Sequence, residues 1–253
     1  MPTRRYALTA GILYFVTHIT SVVAADLYLP TLADPMAAAG TQDAAVHVGA
    51  MLEVVLAAAI IGTSVALYPV LKRLAPGMAL AYVALRLLEA TVVLTGVVAI
   101  LGVLGAGEFA PVFASLNAMA FTVGPGLICP INTVVIAIVL WRTGLVARWI
   151  PALGLVGAPV VFASNVAIMT GVYEQTHPLA LVAAVPIFAW EISLAVTLVA
   201  RGFRPLPASA EFDVVGDRGA LTAAVDEVGA IDGDLAGVLA QRGEDRVGVV
   251  AER

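Results

Sequence analysis

Six stretches of this chain are each long and apolar enough to cross a bilayer, and short polar connections separate them. They cover about residues 6–25, 49–71, 77–104, 112–140, 150–170 and 179–200. A hydrocarbon core about 30 Å thick takes roughly 20 residues of helix. Inside it the backbone finds no water, so each stretch must close its hydrogen bonds within itself, as a helix does. The chain is 61% hydrophobic and 12% charged, against about 25% charged residues in soluble domains, more apolar surface than one soluble core of this length buries. The fold class expected is an all-α integral membrane bundle of six transmembrane helices over residues 1–204, with an acidic tail over 205–253.

The basic residues set the direction of the spans. Arg4 and Arg5 precede the first, Lys72 and Arg73 join the second and third, Arg142 and Arg148 join the fourth and fifth, and Arg201 and Arg204 follow the sixth. The other three connections, about 26–48, 105–111 and 171–178, contain no Lys or Arg. The positive-inside rule then predicts a multi-pass protein of the cell membrane with both termini in the cytoplasm. A competing reading takes Arg4-Arg5, the first apolar run and Val23-Ala24-Ala25 as a signal peptide and cleavage site. Thr17, His18 and Thr20 make a poor signal core, and a retained first helix completes the alternation.

The charge divides along the chain: nine Lys/Arg against eight Asp/Glu over residues 1–204, and four against ten over 205–253. The tail has no aromatic after Phe212 and several glycines, so it is expected to be disordered or marginally helical; its sequence names no partner. Span four carries Gly124-Pro125-Gly126 and Cys129-Pro130, where missing backbone donors predict a kink or break near mid-membrane. Such a break can line a site with freed carbonyls or serve packing alone.

Polar side chains at membrane depth are few, and their depths follow from the helical rise of about 1.5 Å per residue. Counted from the basic ends, Arg86 and Asn132 lie about 13–14 Å deep and Glu191 about 15 Å, with His18 and Glu89 nearer 18–20 Å. Glu53 falls close to the opposite interface, where solvation is its default. A charge at the bilayer centre costs at least about 2.5–3.5 kcal/mol, so these groups should face one another. Arg86 and Glu89 share a helix face at i,i+3. The expectation is a buried cluster of Arg86 with Glu191, flanked by Glu89 and assisted by Asn132 and His18. One arginine then faces two carboxylates. Either one carboxylate takes a proton, or His18 supplies a second positive charge, or a cation binds. The plainer reading is an ion pair pinning helices three and six.

Other chemistries find little support. The single Cys129 forms no intramolecular disulfide or Cys-rich metal site. No basic patch with interleaved aromatics suggests nucleic acid, and there is no Gly-rich phosphate loop or H-E-x-x-H. Only His18 is placed to ligate a haem, so no cofactor is expected. Ser21, Ser64, Ser164 and Ser193 have no evident base and orienting acid. His47 and His177, with Asp26, Asp34, Asp43 and Glu174, lie in the far connections without metal-ligand spacing.

The stretch Arg86-Leu87-Leu88-Glu89-Ala90 resembles an R-x-x-E-A signature of a bacterial multi-pass membrane-protein family, DUF4386, a domain of unknown function. Trp141-Arg142-Thr143-Gly144, then Arg148 and Leu153-Gly154, is similar to that family's R-S-G-…-P-R-…-L-G connection, with Thr143 for Ser and Ala147 for Pro. Glu191, an apolar run and Arg201-Gly202 resemble its final-helix signature. The likeness spans roughly residues 5–204 and implies the architecture and the charged positions; it implies no substrate.

Two expectations follow. The protein binds or transports a small ligand or ion at the Arg86, Glu89, Glu191, His18 and Asn132 cluster. Alternatively it is a non-catalytic scaffold in the bilayer with a structural cluster and a docking tail. A membrane enzyme acting on lipid would need an accessible nucleophile or metal, and the sequence offers neither.

Overall fold

The computed structural model describes residues 2–205, all in helices or their connections with no strand. The elements are α1 (Pro2–Ala33), the short α2 (Pro35–Ala38), α3 (Ala44–Leu71), α4 (Pro76–Gly105), α5 (Ala110–Val123), α6 (Cys129–Thr143), α7 (Trp149–Met169) and α8 (Pro178–Ala200). Six apolar spans result, with α5 and α6 forming one continuous span. The expected tail lies, from residue 206 on, outside the described residues.

The spans pack in chain order and α8 returns to α1, closing a ring. Every second helix end therefore shares one face. That face holds Arg4, Arg5, Lys72, Arg73, Arg142, Arg148, Arg201 and Arg204, and it is here called the basic end. Arg4 ties its first helix to its last, donating to Leu198 O at 3.1 Å and Val199 O at 2.8 Å. Such bonds satisfy carbonyls that a helix C-terminus leaves without intrahelical partners.

Helices run longer at the far end than the apolar runs suggest. The expected connection over 26–48 is mostly helix, because α1 continues to Ala33 and α3 begins at Ala44. Acidic side chains start the elements there: Asp34 accepts from Ala37 N at 3.0 Å and Asp43 from Ala45 N at 2.8 Å, occupying N-cap positions. His177 caps α8 in the same way, its Nδ1 accepting from Leu179 N. These far-end residues begin helices rather than gathering into a site.

Span four bends without breaking. Gly124–Ile128 forms one π-helical turn, closed by Cys129 N–H donating to Gly124 O. A π-turn widens the hydrogen-bond ring by one residue, which absorbs the two proline donors missing at Pro125 and Pro130. The space where Gly126 lacks a side chain is occupied by the Asn165 amide of α7.

The interior has two unequal end cores, with a third, small cluster of Leu56, Ala57, Ile60, Ala90 and Val93 between α3 and α4. Toward the basic end, one large core joins α1, α3, α4, α6, α7 and α8 around Tyr14, Leu67, Tyr82, Leu140, Trp190 and Leu194. Toward the far end, a smaller core joins α1, α3, α4 and α5 with α2, around Tyr28, Val46, Ile100 and Val103, and includes no residue of α7 or α8. Consistent with this, no residue of α8 from Pro178 to Pro186 is buried, whereas Ile187, Trp190, Leu194, Ala195 and Leu198 all are.

In lipid, where burial of apolar side chains gives no drive between helices, close approach of small residues holds spans together. Gly157 is the clearest case: a Cβ there would lie 2.6 Å from Ile187 N and 2.9 Å from Pro186 C, both backbone atoms that cannot swing aside. Helix propensity alone favours alanine over glycine by about 1 kcal/mol. Gly157→Ala is nonetheless expected to destabilise by about 1–3 kcal/mol through overpacking, seen as a lower midpoint of unfolding in detergent. Gly77→Ala, where a Cβ meets nothing within 4 Å, should not lower it.

Candidate functional site

Where the two cores meet, the bundle holds four ionisable side chains in two pairs. The deeper pair lies within α4. Arg86 Nη1 donates to Glu89 Oε2 at 3.0 Å, across one turn of helix. Asn132 Nδ2 from α6 donates to the same oxygen at 2.6 Å, and Arg86 Nη2 donates to Thr63 Oγ1 of α3 at 3.2 Å. The guanidinium also lies over the Tyr14 and Tyr82 rings, 5.4 and 5.8 Å from their centroids, within the range of cation–π attraction. Arg86 is 2% exposed and Glu89 3%. Its Nε alone, among the buried side-chain polar atoms of the described residues, meets no hydrogen-bond acceptor.

The second pair bridges α1 and α8. His18 Nε2 lies 3.2 Å from Glu191 Oε2, and these side chains are 12% and 17% exposed. His18 Nδ1 lies 2.8 Å from Tyr14 O. A carbonyl only accepts, so Nδ1 carries its hydrogen. A hydrogen bond between Nε2 and Oε2 then needs one more proton, on the imidazole as imidazolium or on the carboxyl as a neutral acid. In either form the pair holds one titratable proton and no net charge.

Two residues link the pairs. Tyr14 gives its carbonyl to His18, its ring to Arg86, and its hydroxyl to Tyr82 OH at 2.8 Å. Cys129 Sγ lies 3.9 Å from Glu191 Oε1, while Asn132, one turn along α6, holds Glu89. The π-turn ends at Ile128, so it sets the rotation at which α6 presents both side chains.

All five residues singled out from the sequence come to this region, but the expected pairing changes. Arg86 pairs with Glu89, not with Glu191, and Glu191 pairs with His18. Side-chain direction explains the exchange. Cα–Cβ bonds tilt toward a helix's N-terminus. Helices α1 and α4 start at the basic end, so His18 and Glu89 lean toward it; α6 and α8 run the other way, so Asn132 and Glu191 lean outward. The lean brings His18 to Glu191 and Glu89 to Asn132, and it carries Glu191 away from Arg86.

Four participants escaped the sequence reading: Tyr14, Thr63, Tyr82 and Cys129. Tyr14 and Tyr82 lie four residues before His18 and Arg86, a spacing that could have found them. Thr63 and Cys129 depend on which helices become neighbours. Asn117 also went unnoticed; its Nδ2 donates to Gly96 O at 2.9 Å, pinning α5 to α4. Glu53 is half-buried rather than freely solvated and accepts from Tyr28 OH at 3.1 Å.

A family model described as a domain of unknown function, DUF4386, matches residues 9–202. The chain belongs to the DUF4386 family. No curated protein and no solved structure matches it. The DUF4386 match takes in both pairs and both linking residues, and it ends before residue 206, where the described part of the chain stops.

In this DUF4386 protein the two pairs differ in what their loss should do. Removing one partner of a buried ion pair strands the other charge and typically costs about 3–5 kcal/mol. Glu89→Ala is expected to destabilise on that scale, measured by unfolding in detergent. Arg86→Met with Glu89→Met should recover more than half of the loss, since matched apolar replacements of buried pairs are often neutral. Glu191→Gln, in the more open pair, should cost clearly less.

Proposed function

We propose that this protein binds a small ligand or ion at its midplane polar site, as a transporter does, and that the proton held between His18 and Glu191 is the charge coupled to that binding. The observation that carries the reading is the contact itself. The Nδ1 bond to Tyr14 O leaves Nε2 and Glu191 to share one proton, on a pair more open than anything in the Arg86 cluster.

The surroundings of the pair support the same reading. On its basic-end side the α1–α8 seam is tight: a Cβ on Gly11 would lie 2.9 Å from Ala195 O and 3.1 Å from Leu198 Cβ, and Arg4 bonds across it. On the far side α8 buries nothing before Ile187. A group poised between a closely packed half and a half with no buried residue on α8 suits alternating access. The titratable groups around it are Tyr14 on α1, Arg86 and Glu89 on α4, and Cys129 on α6. Intramembrane ionisable residues of this kind mark proton and ion pathways. The Arg86–Glu89 pair, satisfied by Asn132 and Thr63, serves as the fixed partner that keeps α3, α4 and α6 in register.

The distribution of basic residues supports an orientation with the basic end in the cytoplasm and the protein in the cell membrane. A second reading, a scaffold whose charged cluster is structural throughout, draws on the near-complete satisfaction of Arg86 and Glu89.

Acid–base titration of the purified protein in detergent separates the two. Between about pH 9 and 6, above the range in which an ordinary carboxylate titrates, the parent should take up one proton per chain that Glu191→Gln does not, while Glu191→Gln still unfolds cooperatively. Identical titration of parent and variant, with stability alone reduced, would sink the proton-coupled reading in favour of the scaffold.

A further inference from the structure

At the basic end the chain builds a cavity well away from the midplane site. It measures about 200 Å³, and its lining includes Thr3 and Tyr6 of α1, Arg73 after α3, Leu145 between α6 and α7, and Phe203 and Arg204 after α8. The last two reach it because the chain reverses at the end of α8. Gly202 takes φ of +71°, a left-handed conformation open to glycine without penalty, and its N–H closes on Thr197 O at 3.0 Å. Phe203 then packs on the large core, and Arg204 N donates to Leu145 O at 2.8 Å. The segment is stitched across the helix ends, which brings Arg204 to the same cavity as Arg73.

Three of the other basic side chains at this end have contacts elsewhere. Arg4 serves the α8 carbonyls, Lys72 lies 5.3 Å from the Tyr68 ring, and Arg148 lies 6.0 Å from Trp141. Arg73 and Arg204 form no ion pair with any described residue. Two arginines thus line one concave space, with Thr3 and Tyr6 beside them and apolar walls at Val70, Leu74, Leu145 and Phe203.

We infer that this cavity binds the phosphate of an anionic phospholipid, with Arg73 and Arg204 as its donors and the apolar walls against the glycerol and upper acyl chain. Guanidinium forks match phosphate oxygens in two parallel hydrogen bonds. The cavity lies beside the first turns of α1 and the last turn of α3, where the spans meet the headgroup layer, and Tyr6 is a residue type enriched at that level. Basic pockets at the ends of spans are suited to anionic headgroups. Free phosphate shares the anion chemistry but has no use for the apolar walls, and the bilayer presents lipid at this depth.

The test uses the full-length protein, delipidated in neutral detergent, titrated with phosphatidylglycerol, phosphatidylcholine or inorganic phosphate, and read by native mass spectrometry and thermal unfolding. One phosphatidylglycerol per chain should bind in preference to phosphatidylcholine, with a rise in unfolding temperature. The double variant R73Q/R204Q should bind it roughly 30-fold more weakly and either single variant about fivefold more weakly. R142Q, at the same end but outside the cavity, should match the parent. Equal binding of the two lipids, or an unchanged preference in the single variants, would overturn the assignment. So would displacement of phosphatidylglycerol by millimolar phosphate alone. If the double variant does not fold, the single variants and the parent's choice between lipids still decide the outcome.

Discussion

The structure rests on keeping a guanidinium at hydrocarbon depth. Arg86 can stay there because its charge is met within one turn by Glu89, a second donor reaches Thr63 of α3, and the Tyr14 and Tyr82 rings lie against it. Glu89 in turn needs a second donor, which Asn132 supplies. The bond to Thr63 fixes the rotation of α3, and the stacking of Tyr14 and Tyr82 fixes α1 and α4. Four spans are thus held at set rotations by a single ion pair. Ion pairs buried in low dielectric add little net stability over apolar packing. Their geometric demand is the larger effect: another rotation of α3 or α6 takes Thr63 or Asn132 away from the pair and leaves a buried donor or acceptor without its partner.

The need for a bilayer was legible because it depends on run length and charge placement, which a sequence states directly. Helix ends were less so. Hydropathy falls at Asp26 and Pro30, yet α1 continues to Ala33, since a helix emerging from lipid has no reason to stop until a cap such as Asp34 begins the next element. The level of the polar groups was readable by counting residues, and all five indeed come to one zone. Their partners were not. Pairing depends on rotation about each helix axis and on the tilt of Cα–Cβ bonds, which run opposite ways in α1 and α8. The bond between His18 and Glu191 further requires that the last span return to the first, and nothing in the connecting segments encodes that closure.

The contrast between the pairs gives the bundle its division of labour. Arg86 and Glu89 belong to the same helix, so their bond survives any movement of one helix against another. His18 and Glu191 belong to different helices and lie where the buried residues of α8 come to an end. Below the pair, glycine contact at Gly11 and the bonds from Arg4 lock α1 to α8. Above it, no residue of α8 is buried from Pro178 to Pro186. Pro186 lies at that boundary, and a proline within a helix gives up one backbone bond and eases bending there.

A proton at such a junction has mechanical consequences that a proton inside the Arg86 cluster would not. With one proton shared, the pair is neutral and its two groups attract through a hydrogen bond, so α1 and α8 are held together at this level. If that proton leaves, a carboxylate is left facing a neutral imidazole whose only remaining N–H is committed to Tyr14 O. The bridge is lost, and a bare charge in low dielectric must find water, a cation or a new donor. On the proton-coupled reading proposed above, the far half of α8, which has no buried residue before Ile187, would be the part to yield. The Arg86 cluster would stay as it is, because its own charges are matched within α4. The spare carboxylate that charge counting left over is therefore neither a second staple for Arg86 nor a defect. Its partner lies on another helix, whereas that of Arg86 lies on its own.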